Sequence, residues 1–451
     1  VKTAMAAARV VRLWLAAALI ALPPCALPAM AHAVAPHPID EKWLPRPGLP
    51  APPQPTVQRE VCAVVHADAN LTGAGAPVQF ADFDLTRLWQ FTRGGGQRVA
   101  VIDTGVARHR RLQNLIAGGD YVSTGDGTQD CDAHGTLVAG IIAAAPDPSS
   151  DQFSGVAPDA TIIGIRQSSA KFARTSNRSA GGVGDVDTMA KAVRTAADLG
   201  ATVINISTVA CVPAANELND RALGAALAYA VDIKDAVVVA AAGNAADDAH
   251  CPAQRPDATR DTVTVAVSPA WYDDYVLTVG SVNADGAPSA FTLAGPWVDV
   301  AASGEGITSL SPAGDGLVNS IAGQHGSRPL TGTSYAAPLV SGLVALVRAR
   351  FPELTARQVM QRIESTAHHP PAGRDALVGN GAVDPPAAIS TGPIPQPVAA
   401  RPSPLSPPQP PTRYQPDRRD RNVALVGAAC CVVVLVAVGL MRPSRKRVAG
   451  D

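Results

Sequence analysis

From about residue 80 to residue 388, short apolar runs alternate with longer stretches whose apolar residues recur at helical spacing. The runs at 98–101, 160–166, 202–206, 237–241 and 275–279 are rich in Val, Ile and Ala and have strand length. Few polar residues interrupt them, which predicts central parallel strands covered on both faces. Between them, 186–199 and 218–233 carry apolar residues on one helical face. Strands alternating with helices predict an α/β fold, a doubly wound and mostly parallel sheet with helices on both faces. Sheets of this kind hold their ligands beyond the carboxyl ends of the strands, so chemistry is sought there.

Outside that region the pattern changes. Between Pro36 and Pro55 there are 8 prolines, which predicts an extended segment without regular helix or strand. Between Pro385 and Pro416 there are 12 among 32 residues, the composition of a semi-rigid linker. Lys2, Arg9 and Arg12 precede an apolar run at 13–22 and small residues around Ala29, Ala31 and Ala33, the order of an export signal. The run is too short to span a bilayer. Residues 423–441 form an uncharged stretch of 19 residues. At helical rise it covers roughly 28 Å, close to a bilayer's hydrocarbon thickness. Arg442, Arg445, Lys446 and Arg447 follow it as a cytoplasmic tail would, although Arg418, Arg419 and Arg421 on the near side blur that bias. A buried core helix is the competing reading of the stretch. The expected order is signal peptide 1–33, extension 34–79, catalytic domain 80–388, linker 389–422, transmembrane helix 423–441 and basic tail 442–451. It places the catalytic domain on the extracytoplasmic side of the plasma membrane, held by one C-terminal helix.

Composition narrows the chemistry. Net charge is −1, with 17% charged residues, so nothing suggests a nucleic-acid partner. Of 7 cysteines, Cys25 falls in the signal and Cys430 and Cys431 in the span. Cys62, Cys131, Cys211 and Cys251 remain for an exported domain, where disulfides persist. Four cysteines allow three pairings. Their spacing does not suggest zinc. Cys211 and Cys251 follow successive predicted strands, which tend to be neighbours, so they are expected to pair and leave Cys62 to join Cys131.

Three segments carry reactive residues at the expected edge. Val99-Ala-Val-Ile-Asp103-Thr-Gly105 is a buried strand ending in a carboxylate; Asp132-Ala-His134-Gly-Thr136 opens a small-residue helix; Gly332-Thr-Ser334-Tyr-Ala-Ala-Pro338 opens a long apolar one. A serine hydroxyl becomes a nucleophile only when a neighbouring base takes its proton, and imidazole titrates in the right range. A buried carboxylate then fixes the imidazole tautomer and stabilises its protonated form. Alone, Asp103 reads equally as a turn former, His134 as an interior histidine and Ser334 as a helix cap. The remaining histidines, including His66, His109, His368 and His369, read as surface residues.

The order Asp, His, Ser and the surrounding motifs resemble the subtilisin family. The resemblance extends to Gly155-Val-Ala-Pro-Asp-Ala160, to Ala241-Ala-Gly-Asn244, and to Pro269-Ala270 with Val279-Gly-Ser281. It implies a serine endopeptidase with Asp103, His134 and Ser334 as its triad, and Asn244 as an oxyanion donor beside the Ser334 backbone N–H. Asn244 also reads as a turn residue after Gly243. The resemblance further implies substrate binding along Gly181, Gly182, Val183 and Gly184 on one side. Opposite them stand Ser207, Thr208 and Val209, where the family usually carries glycines. Side chains in their place are expected to crowd the channel and narrow substrate choice. No acidic cluster resembles the family's strong calcium sites, and neither metal nor cofactor is assigned. An exported domain with a proline-rich extension, a C-terminal span and a basic tail resembles the mycosin branch. That implies protein substrates, a type VII secretion membrane complex as partner, and an extension that wraps the domain permanently. Three functions then compete: a processing endopeptidase, a structural member of the secretion complex whose proteolysis is secondary, and an inactive binding protein.

Overall fold

A computed structural model describes residues 35–67 and 77–390, apart from 178, 180, 217, 246–250 and 324–325. The expected signal peptide, the transmembrane helix 423–441 and the basic tail lie outside these residues, as does the linker beyond 390. No helix among the described residues is long and apolar enough to cross a membrane.

The apolar runs assemble into one sheet. In chain order its strands are β1 (Arg98–Asp103), β2 (Leu115–Asp120), β3 (Thr161–Arg166), β4 (Val203–Ile206), β5 (Val237–Ala241), β6 (Val276–Val282) and β7 (Val300–Ser303). These 7 strands lie in the order β7-β6-β5-β4-β1-β3-β2. All neighbours run parallel. Every residue of β4, β5 and β6 is buried, so both faces of the sheet are covered, as their unbroken apolar sequences require. The chain leaves β1 for β2 and then β3 on one side and reaches β4 on the other. The carboxyl end of β1 therefore sits where the winding reverses, the place such sheets keep for a site.

Four helices matter for the site: α1 (His134–Ala143), α2 (Val186–Asp198), α3 (Arg221–Ala228) and α4 (Thr333–Arg350). Asp185 caps α2 reciprocally with Thr188, a sequence-encoded start. The helix expected at 218–233 begins only at Arg221 and ends in a wider turn, Tyr229–Ile233. Asp220 does not cap α3. Its buried carboxylate instead accepts from Ser268 Oγ, Trp271 Nε1 and Tyr272 OH. In α1 every residue after His134 is buried, and so is most of α4, and the two helices pack on each other. That packing aligns their N-termini over the end of β1.

The extension follows the catalytic domain closely. Apart from one short turn, Glu41–Trp43, residues 36–55 carry no helix or strand. Pro50 packs so tightly on Gly119 that a Cβ there would lie 2.2 Å from it. Thr56–Gln58 pairs with Phe172–Arg174, and Val65–His66 with Ile321 and Ser320. Disulfides join Cys62 to Cys131 and Cys211 to Cys251, the expected pairs, with Cα atoms 4.5 and 5.2 Å apart.

Candidate active site

Strand β1 delivers Asp103 fully buried at its last position. Its Oδ1 accepts from the Thr104 backbone N–H at 2.7 Å and lies 2.8 Å from Nδ1 of His134. The other ring nitrogen, Nε2, lies 3.0 Å from Ser334 Oγ. Asp103, His134 and Ser334 thus form one unbroken chain of contacts between residues that are 31 and 200 positions apart. The close approach depends on Gly135: a Cβ there would sit 2.1 Å from the Gly105 carbonyl oxygen. Only a residue without a side chain lets the start of α1 settle against the turn that follows Asp103.

Ser334 is the second residue of α4, where backbone N–H groups lack helical partners and the helix dipole favours negative charge. Gly332 precedes this helix with φ of +149°. A Cβ at Gly332 would lie 3.1 Å from Ser334 Oγ and 3.3 Å from Asn244 Nδ2, so glycine keeps this space open. Asn244 stands just beyond β5. Its Oδ1 accepts from the Thr333 backbone N–H at 2.9 Å and from Thr333 Oγ1 at 3.0 Å. Anchoring the oxygen fixes the amide orientation and leaves Nδ2, a donor, facing the space beside Ser334.

Electrostatics favour a basic imidazole. Burial pulls the pKa of His134 down, but the facing Asp103 carboxylate, with Asp130 and Asp132 behind it, more than offsets this. The net effect is a pKa raised above the ordinary value. Asp130 ties the elements together. It accepts from Thr104 Oγ1 at 2.9 Å on the β1 side and from Thr136 N and Oγ1 at 2.8 and 2.6 Å on the α1 side. Burial pushes its carboxyl up to about 6 despite these bonds. Asp132 accepts from Ser169 Oγ and from the Ala170 backbone N–H. Neither carboxylate was singled out from sequence, although Asp130-x-Asp132-x-His134 repeats an acid at every second position before the histidine.

A cavity of about 250 Å³ is lined by Val183, Gly184, Thr208 and Val209 together with Gln167, Ser168, Met189 and Leu223. Val183 is held by a reciprocal backbone pair with Ser169, at 2.9 Å each way. Gly181, Gly182 and Ser207 do not line this cavity. Gly181 is exposed, and Ser207 is buried with its Oγ accepting from Asn205 Nδ2. Val209 packs toward the loop before Asn244: a Cβ at Gly243 would lie 3.4 Å from Val209 Cγ2 and 3.6 Å from Cys251 Sγ. One expectation is corrected. His109 is not a surface residue but buried, with Nδ1 accepting from the Arg111 backbone N–H.

Residues 94–381 match the Subtilase family of peptidases. Mycosin-4 of Mycobacterium tuberculosis is 66% identical over 99% of this chain and 100% of its own length. The structure of the MycP3 protease from the type VII (ESX-3) secretion system superposes with a TM-score of 0.74 at 46% identity, covering 80% of this chain and 100% of that one. A chain in the structure of an intact ESX-5 inner membrane complex gives 0.75 at 43% identity, over 90% of this chain and 99% of that one.

Proposed function

This chain belongs to the subtilase family, and from that membership we propose that it is a serine endopeptidase acting through an acyl-enzyme on Ser334. His134 Nε2 takes the Ser334 proton as Oγ attacks the scissile carbonyl carbon. Asp103 holds the imidazole by Nδ1 and stabilises the imidazolium that forms. The carbonyl oxygen, now an oxyanion, is bound by Asn244 Nδ2 and the Ser334 backbone N–H. Collapse breaks the peptide C–N bond, with the proton passing from His134 to the departing amine. Water then enters, gives a proton to His134 and cleaves the ester, restoring the hydroxyl. The observation that carries this reading is the contact chain Asp103–His134–Ser334, at 2.8 and 3.0 Å.

The site fits few substrates. Val183 is paired with Ser169, so Gly182 and Gly184 on either side of it turn their backbone groups the other way and offer an edge with which an extended peptide can pair, and Gly181 leads into it. Thr208 and Val209 line the same cavity with side chains where glycine would leave a wider channel, and Ser207 before them is buried and bonded to Asn205. We assign the substrates to protein cargo of a type VII secretion pathway. The catalytic domain would act on the extracytoplasmic face of the plasma membrane, with residues 1–33 as signal, 34–79 as a permanent wrap, 389–422 as linker and 423–441 as the single span.

A second reading has its own support. Likeness to a chain of an intact ESX-5 inner membrane complex favours a structural place in such a complex, with proteolysis secondary. Comparing the termini of proteins secreted by cells carrying wild-type or Ser334→Ala enzyme separates the two. The endopeptidase reading expects a small set of new termini that vanish in the variant. Unchanged termini with secretion intact would favour the structural role.

A further inference from the structure

His134 is held at both ring nitrogens, by Asp103 and by Ser334. Hydrogen bonds at imidazole nitrogens run near the ring plane, so two of them restrain the tilt of the ring only weakly. Nor do they prevent the whole side chain, 24% exposed, from swinging outward when Ser334 Oγ moves toward a carbonyl carbon. Confinement of tilt has to come from whatever touches the ring face.

Tyr335 is the aromatic ring packed against that imidazole. It follows Ser334 in α4, is 6% exposed, and its ring centroid lies 5.2 Å from that of His134 at an interplanar angle of 40°. A tilted aromatic pair at this distance is an attractive arrangement. Because α4 carries both residues, the surface bearing on the base and the nucleophile move as one body. Burial, with Asp103 and Asp130 adding to it, pushes the phenol well above its ordinary range, so the ring stays neutral throughout the working range of the enzyme. It adds no charge to the site.

We propose that Tyr335 is a positioning residue, whose ring bears on the face of His134 and keeps the imidazole aligned with Asp103 and Ser334 as the proton moves. The proposal rests on the serine peptidase reading above. It assigns the task to the ring and not to the hydroxyl.

The test uses a fluorophosphonate probe, which reports nucleophile activation without a known substrate. Labelling rates are measured against pH for wild type, Tyr335→Phe and Tyr335→Ala, with thermal melting alongside. The groups that face the imidazole (Asp103 from β1, Asp130 and Asp132 from the loop before α1, Ser334 from α4) are the same in all three. Removing the ring frees the imidazole and should slow labelling by about ten- to a hundredfold. It also wets the ring face. Burial lowers the pKa of His134, so relief of burial moves the acid limb of the profile to higher pH. Tyr335→Phe should restore most of the rate and the wild-type limb. If Tyr335→Ala does not fold, Tyr335→Leu takes its place, with labelling still slower than for Tyr335→Phe. An alanine or leucine variant that labels at the wild-type rate with an unmoved limb would overturn the proposal. A phenylalanine variant as slow as alanine would overturn it too, by assigning the effect to the hydroxyl. Absence of labelling in wild type would refute the peptidase reading itself, a distinct outcome.

Discussion

At the scale of single residues, the account turns on how little each reactive group does alone. Ser334 is an ordinary alcohol until His134 Nε2 stands 3.0 Å from its oxygen, and His134 is a useful base only with Asp103 at 2.8 Å behind it. Thr333 claims the oxygen of Asn244, which leaves the amide nitrogen for the donor role proposed for it. Its replacement by alanine should leave labelling of Ser334 measurable but lower kcat on a peptide by about 10²–10³, with KM little changed. The raised pKa of His134 sets a direction for pH dependence. Activity requires neutral imidazole, so it is present above that pKa and lost as pH falls through it, and the acid limb should lie above the 6.5 of an unperturbed histidine. Neutralising a nearby carboxylate stabilises imidazolium less, so Asp130→Asn should move this limb to lower pH, as seen in the pH profile of kcat/KM. Asp103, His134, Ser334 and Asn244 were legible because each lies in a short motif with a glycine one or two positions away. Asp130 and Tyr335 were not. Their meaning depends on which groups surround them across 26 and 201 positions, and the acid at every second position before His134 does not by itself say so.

At the scale of elements, continuous apolar runs marked the central strands well, since a strand covered on both faces has no polar face to confuse the pattern. The two outer strands escaped. Leu115–Asp120 contains two glycines, and Val300–Ser303 holds a single β-branched residue, so neither reads as strand by propensity. The helix start at Arg221 was missed because Asp220, a natural cap, is taken by Ser268, Trp271 and Tyr272 from another segment. The extension is held along its path, by Pro50 against Gly119, by pairing of Thr56–Gln58 with Phe172–Arg174 and by the Cys62–Cys131 bond. That bond closes a loop of 69 residues. On the chain-entropy estimate, replacing both cysteines by alanine should cost about 4 kcal/mol of stability. Denaturant unfolding of the double variant against wild type measures this, and an unchanged midpoint would mean that the extension binds without its staple.

At the scale of the whole molecule, the fold brings two helix starts and one strand end to a single rim, and everything proposed for function follows from that meeting. Crowding near Asn244 has a consequence here. Val209 lines the cavity beside the active site and lies close to Gly243. Val209→Gly should therefore broaden the set of peptides cleaved in a library while leaving the fluorophosphonate rate near that of wild type. An unchanged set would remove Val209 from the account of selectivity.

The most direct measurement is covalent labelling of the purified domain by a fluorophosphonate, followed by identification of the modified residue. The account predicts a single adduct on Ser334, absent from Ser334→Ala and formed far more slowly by His134→Ala. An unlabelled protein, an adduct on another residue, or a rate indifferent to the loss of His134 would contradict it.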